Sequence, residues 1–399
     1  MSVANGLAAG TACADAVTAS PTVAKAGRIP SIDALRGLVI LLMLVDHTRE
    51  FFFLHAQVSD PMDVTTTEPA LFFTRLLAHL CAPVFIVLTG LAAWLYAAPR
   101  GGAAAASAFL AKRGLFLIAL ELTVVSFAWN FDLTPDKMYL QVIWAIGLSM
   151  LALALLVHLP RAALIAVGLG IVLGHNLLDG ITAPPDTPWH AIWAVLHERS
   201  WIDLPWGGQI RTSYPVLPWI GVIAIGYGLG PWFARTAEPE WRRRMLVAAG
   251  LAALVGFLAL RLVNGYGETQ SWQAMDGALP TVMSFLNLTK YPPSADFLLL
   301  TLGCGAWLLA AFERLPERAV ATLAIFGSAP LFFYVLHLYL LHGLNRTAAA
   351  LAGSTGLISL PNVASLWLLA ALVAVPCWFA CRSFAAVKRR SPAWWMRYL

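Results

Sequence analysis

The chain has 399 residues, 59% of them hydrophobic and only 12% charged, where a soluble domain carries roughly 25% charged residues. A mean hydropathy of +0.73 and a pI near 9.0 describe a polytopic membrane protein, and its Lys and Arg are dispersed over loops without the basic face that nucleic-acid binding needs. Five cysteines (Cys13, Cys81, Cys304, Cys377 and Cys381) form no C-x-x-C motif and no disulfide framework.

Residues 1–29 are rich in Ala, Thr, Ser and Gly. They lack a charged segment followed by an apolar run, so they are expected to be a disordered cytoplasmic tail, not a signal peptide. Apolar runs long enough to cross a bilayer follow at about 35–54, 70–98, 109–129, 138–158, 161–178, 214–234, 243–263, 295–313, 319–343 and 363–385. The expected fold is therefore all-α, with ten transmembrane helices in one domain over 30–386 and a basic cytoplasmic tail over 387–399. With the N-terminus inside, 18 of the 26 Lys and Arg fall on the inner side, which favours an N-in, C-in topology. The histidines have the opposite bias: of nine, only His158 falls inside. The longest outer loops, 179–213 and 264–294, carry Trp189, Trp193, Trp201, Trp206 and Trp272, which suits an interfacial aromatic belt.

The first run places Asp33 and Arg36 at one end and Asp46-His47-Thr48-Arg49-Glu50 at the other. Ionisable groups inside a span are costly and mark function by default. Arg36 and His47 are eleven residues apart, so they lie on nearly one face and roughly 16 Å apart along the helix axis. A cation near one surface and an imidazole partway through suit a long anionic ligand whose reactive end reaches the imidazole. His47 is the expected general base, tuned by Asp46, with His55 in reserve. Arg36, with Asp33 beside it, and the inner-loop residues Lys112 and Arg113 are expected to meet phosphates. Arg75 and His79, four residues apart ahead of Cys81-Ala-Pro83, could share a cavity with His47. Lys290 and Tyr291, aimed by Pro292-Pro293, and Trp272 are expected at the outer substrate side, although a Lys at that interface can also be a simple anchor. His337 lies deep in an apolar run, as a substrate contact or an interhelical hydrogen bond. No zinc-protease, serine-hydrolase, P-loop or dinucleotide motif occurs. His190 and His197 are seven apart, too loose a spacing to specify an ion, and no metal is expected.

Several stretches together resemble the heparan-α-glucosaminide N-acetyltransferase family, especially its bacterial members. They are Ser31-Ile-Asp-Ala-Leu-Arg-Gly37, Phe73-Thr-Arg75 with His79-Leu-Cys-Ala-Pro-Val-Phe85, Gln141-Val-Ile-Trp-Ala-Ile-Gly147, Tyr214-Pro-Val-Leu-Pro-Trp219, Lys290-Tyr-Pro-Pro-Ser294 and Phe333-Tyr-Val-Leu-His337-Leu-Tyr339. The resemblance runs from about residue 29 to about 385. The Asp-x-x-Arg-Gly start, with a His eleven residues after the Arg, also resembles the wider transmembrane acyltransferase superfamily.

The resemblance implies a ten-helix core that takes acetyl from cytosolic acetyl-CoA and delivers it to an acceptor on the far side. Lysosomal members have Asn at the position matching His47 and a catalytic His at that matching His55, with three residues gapped between them. The wider superfamily has its His at the position matching His47. This chain has both, so the choice of base stays open. The lysosomal enzyme's lumenal N-terminal domain is not in this sequence, so its heparan substrate is not carried over.

The leading expectation is a multi-pass acyltransferase of a bacterial inner membrane, using acetyl-CoA and a periplasmic amino sugar or envelope glycan, with a homodimer compatible with the sequence. The alternatives are a proton-coupled transporter or flippase of an envelope precursor, and a non-catalytic scaffold.

Overall fold

The structure, a computed structural model, describes residues 29–53, 62–205, 207–354 and 356–391, with 393 and 396. His55, Trp206, residues 1–28 of the expected N-terminal tail and residues 392, 394, 395 and 397–399 of the expected C-terminal tail lie outside the described residues.

Helices dominate: α1 (Pro30–Phe52), α2 (Pro69–Ala78), α3 (Cys81–Ala97), α4 (Ala103–Leu120), α5 (Ser126–Asn130), α6 (Val142–Leu156), α7 (Arg161–Gly174), α8 (His190–Leu196), α9 (Leu217–Gly228), α10 (Pro239–Val263), α11 (Ala278–Phe285), α12 (Ala295–Phe312), α13 (Glu317–Gly327), α14 (Pro330–Leu351) and α15 (Val363–Arg390). Prolines open α1, α2, α9, α10 and α14. There the missing N–H is no loss and the fixed φ suits the first turn. Asn362 and Ser365 cap the start of α15 reciprocally.

Among the described residues, five helical stretches are long and apolar enough to cross a membrane: 69–100, 161–178, α10, α12 and α15. A sixth is the broken pair α13–α14, bent by 65°. The chain is thus a multi-pass membrane protein. α1 has the length, at 23 residues, but carries five charged side chains. α6 and α9 are only 15 and 12 residues long. They lie within the bundle, α6 along α4, and α9 along both α3 and α7.

Two expectations change. The fold is mostly helical, not all-α: a three-stranded sheet, ordered β1-β3-β2, joins β1 (Lys137–Leu140), β2 (Trp201–Asp203) and β3 (Gln209–Thr212). β1 runs parallel to β3, with Met138 opposite Ile210, and β2 runs antiparallel to it. Gly207 and Gly208, at φ +94° and +82°, make the tight β2–β3 hairpin, since such angles favour a residue without Cβ. The apolar run expected from 138 therefore begins as a strand, because its backbone groups pair with a distant loop. The run expected over 319–343 is two helices, broken at Ser328-Ala329 where Pro330 starts a new one.

The tightest crossing is between α1 and α13. A Cβ on Gly37 would sit 1.9 Å from the Leu323 carbonyl oxygen, and one on Gly327 would sit 1.8 Å from that of Asp33. Two backbones in contact leave no room for any side chain. Gly37→Ala and Gly327→Ala should each destabilise the protein by about 1–3 kcal/mol, read as a lower thermal midpoint in detergent. Gly343, in α14, has open space around its missing Cβ. Gly343→Ala should leave the midpoint unchanged or raise it, and equal losses at all three positions would refute the crossing.

Candidate functional site

α1 brings His47 to the centre of the bundle, and α14 brings His337 against it. His47 Nδ1 and His337 Nε2 are 2.7 Å apart, with the rings stacked at 4.9 Å. The tautomers follow from the remaining partner. His337 Nδ1 lies 2.8 Å from the Phe333 carbonyl, which can only accept, so Nδ1 carries the proton and Nε2 is an acceptor. His47 must then donate from Nδ1, which leaves the lone pair of its Nε2 without a protein partner among the described residues. An imidazole fixed in this way can accept a hydrogen bond or a proton at Nε2. Trp129 and Tyr334 hold the His47 ring edge-on, at 5.2 and 6.0 Å between centroids.

His47 lines a cavity that also meets Asp46, Arg113, Tyr214, Lys290 and Tyr334. Tyr334 is buried, and its hydroxyl has no hydrogen-bond partner among the described residues.

Asp46 does not orient His47. It is paired with Arg49, at 3.3 Å, and with Arg75 from α2. A carboxylate between two guanidiniums is a stable way to keep three ionisable groups in an apolar bundle. Arg75 also donates to the Tyr291 hydroxyl at 3.3 Å, and the Tyr291 and Tyr214 hydroxyls are 3.3 Å apart. This chain of contacts ties α1, α2, the start of α9 and the loop before α12 into one network. Lys290 lies 5.4 Å over the Tyr291 ring, and Arg199 lies 4.7 Å over it.

The loop carrying Lys290 and Tyr291 is held from outside the network. Arg261, buried at the end of α10, donates to four carbonyls, those of Gln270, Ser284, Phe285 and Asn287. Glu268 accepts from the backbone and hydroxyl of Thr289 and from the Ser294 hydroxyl. Trp272 belongs to this scaffold: its indole donates to the Arg261 carbonyl at 2.8 Å and its ring meets Phe285. It does not line the cavity. Neither does His79, which packs on Phe297 with neither ring nitrogen hydrogen-bonded among the described residues.

At the other end, Arg36 donates to Asp33 at 3.1 Å and to the Leu88 carbonyl at 3.3 Å. Asp33 opens onto a separate crevice with Arg382 and Arg389, and Lys112 is exposed. Of the four residues expected to bind phosphates, only Arg113 shares the cavity of His47. Sequence reasoning passed over Tyr334, three residues before His337 and so on the same helical face, and Tyr214, at the head of a motif quoted only for resemblance. It also passed over the buried Arg261 and the half-buried Glu268, which nothing in their neighbouring residues distinguishes.

The chain is a helical membrane bundle that holds a hydrogen-bonded histidine pair beside a cavity. Residues 28–263 match the profile described as heparan-alpha-glucosaminide N-acetyltransferase, catalytic. That is well over half of the chain, which belongs to this family and is thereby a membrane acetyltransferase. No curated protein matches the sequence. Family membership leaves the transporter and scaffold readings without support. His337, Lys290 and Tyr291 lie beyond the matched stretch, yet they complete the site.

Tyr291 offers a direct probe of the network. Burial pushes its phenol up, but the cations of Lys290 and Arg75, with the Tyr214 hydroxyl, outweigh this and bring it down to about 8. A lowered value means that the phenolate forms at lower pH than for an ordinary tyrosine, near 10. One tyrosine should therefore ionise near pH 8 in a 295 nm titration. Tyr291→Phe should remove that step and Lys290→Met should move it upward. A step that persists in Tyr291→Phe would contradict the assignment.

Proposed function

We propose that the protein moves an acetyl group from acetyl-CoA, held from the cytoplasmic side of a bacterial inner membrane, to an amino sugar or envelope glycan on the periplasmic side, with His47 as general base. The observation that carries this reading is the His47–His337 hydrogen bond, which leaves His47 Nε2 free beside a cavity. In this reaction the acceptor N–H or O–H gives its proton to Nε2 while its heteroatom bonds to the thioester carbonyl carbon. The C–S bond then breaks, and the proton passes from His47 to the CoA thiolate. His337 keeps His47 in the required tautomer and supports the imidazolium as it forms. The Tyr334 hydroxyl donates to the carbonyl oxygen as negative charge builds there.

Arg113 supports donor binding from within the cavity. Arg36, aligned by Asp33, and Lys112 meet the CoA phosphates near its mouth. Lys290 and Tyr291, backed by Arg75, orient the acceptor, while Trp272 and His79 support that side of the site from behind. The topology that goes with this reading has ten crossings: α1, α2–α3, α4–α5, α6, α7, α9, α10, α12, α13–α14 and α15. Both termini are cytoplasmic, an assignment that rests on the inner excess of Lys and Arg. α6 and α9 can be short because their neighbours, not lipid, cover much of their length.

General base catalysis by a positioned His contributes roughly 10²–10⁴-fold. His47→Ala should lower acetyl transfer by about that factor while retaining acetyl-CoA binding. His337→Ala should lower it less, and His337→Gln, whose amide oxygen can still accept from His47 Nδ1, should recover part of the loss. The measurement is transfer of labelled acetyl by pure protein in detergent to amino sugars and envelope extracts. If His55→Ala abolishes turnover while His47→Ala is mild, the base is His55 and His47 is a polarising neighbour.

A further inference from the structure

Outside the cavity, the end of α7 and the loop that follows gather a second group of histidines. His175 lies on the 3₁₀ turn (175–178) that ends α7, Asp179 comes directly after it, and His197 closes α8. His175 and His197 are buried, and Asp179 is partly open to solvent. His175 Nδ1 is 3.3 Å from His197 Nε2, and His197 Nε2 is 3.6 Å from Asp179 Oδ1. One donor atom from each of the three lies within 4.8 Å of the others.

Those separations have a specific meaning. Zinc holds nitrogen and oxygen ligands at about 2.0–2.2 Å in a tetrahedron, whose ligand-to-ligand edges are then about 3.3–3.6 Å. Both short separations share His197 Nε2 and match such edges. The same 3.3 Å is long for a hydrogen bond between two imidazoles. The rings are inclined at 57°, so they are not simply stacked. His197 is seated face-on against Trp193, with 5.3 Å between centroids. Asp179 is held through its other oxygen by the Asn176 amide at 2.7 Å, and Asn176 accepts in turn from the Ala295 backbone N–H. A ligand carboxylate fixed by an outer hydrogen bond is the usual second layer of a metal site.

We propose that His175, Asp179 and His197 bind one divalent transition-metal ion of the zinc class, with water at the fourth position on the solvent side of Asp179. Two imidazoles and one carboxylate suit zinc better than calcium or magnesium, which prefer all-oxygen shells. His197 Nε2 otherwise lies 3.0 Å from the His175 carbonyl, so binding shifts its proton to Nδ1 and exchanges that hydrogen bond for a metal bond. His190, the other histidine of this loop, takes no part. Both its nitrogens are engaged, by the Ala183 and Trp201 carbonyls. The pairing of His190 with His197 suggested by their spacing is therefore replaced by His175 with His197. Such an ion would staple the loop 179–213 to the end of α7. Arg199, two residues beyond His197, would then be anchored over Tyr291.

The test uses tag-free, full-length protein in detergent, stripped with chelator and titrated with Co²⁺. The expected result is saturation at one equivalent, with the intense visible bands of tetrahedral cobalt, displaced by Zn²⁺. The thermal midpoint should also rise on adding Zn²⁺. Asp179→Asn, which preserves shape, should weaken binding at least tenfold. His175→Ala and His197→Ala should abolish the bands, and His158→Ala, at an exposed histidine, should keep them. Absence of one-equivalent tetrahedral cobalt in the wild-type protein would overturn the proposal, whatever the variants do. Bands that survive in the His175→Ala/His197→Ala double variant would overturn it too.

Discussion

The contact on which the arrangement depends is that of α1 with α13, backbone against backbone at Gly37 and Gly327. Helix pairs without side chains between them approach most closely, and in a bundle immersed in lipid such contacts are a main source of association. Once α13 lies against the first half of α1, the chain has one short step, Ser328-Ala329, before Pro330 starts α14 at 65° to it. That turn carries α14 across the second half of α1 and sets His337 beside His47. The glycine next to Arg36 thus acts on a histidine ten residues further along. It does so through the placement of a second helix, without touching the site.

A second constraint is electrostatic. The apolar interior offers no water to an unpaired charge, so each buried ion needs a partner with good geometry. Asp46 meets this demand for Arg49 and Arg75 together. Arg261 meets it without a carboxylate, by satisfying four carbonyls of an irregular loop that would otherwise be left unbonded. The two solutions have different consequences. The first links helices to one another around the cavity. The second gives the 264–294 segment a fixed shape, and so places Lys290 at the cavity with Tyr291 beside it.

The histidine pair shows how a hydrogen bond to a main-chain carbonyl decides a tautomer at a distance. The Phe333 carbonyl cannot donate. That single fact sets the proton of His337, then that of His47, and leaves His47 Nε2 as an acceptor without a partner among the described residues. A carboxylate in the same place would orient His47 equally well, but it would add a charge to a region where Asp46 already needs two cations.

Much was legible in the linear sequence. Long apolar runs must be helices in lipid, because no other local structure satisfies the backbone there. Ionisable residues stand out against such a background, which is why Asp46, His47, Arg75, Lys290, Tyr291 and His337 could be named before any fold was known. Pairings were not legible. Asp46 precedes His47, but neighbours on a helix point in directions 100° apart, so its ion pairs go to the arginines, and adjacency alone did not reveal them. Trp272 and His79 are conspicuous residue types whose contacts lie away from the cavity. Tyr334, Arg261 and the His175–Asp179–His197 group depend on residues brought together over long sequence separations. Local pattern determines which segments are helical and which carry charge. Only the tertiary structure, through close approach at two glycines and a turn at one proline, decides which charge meets which.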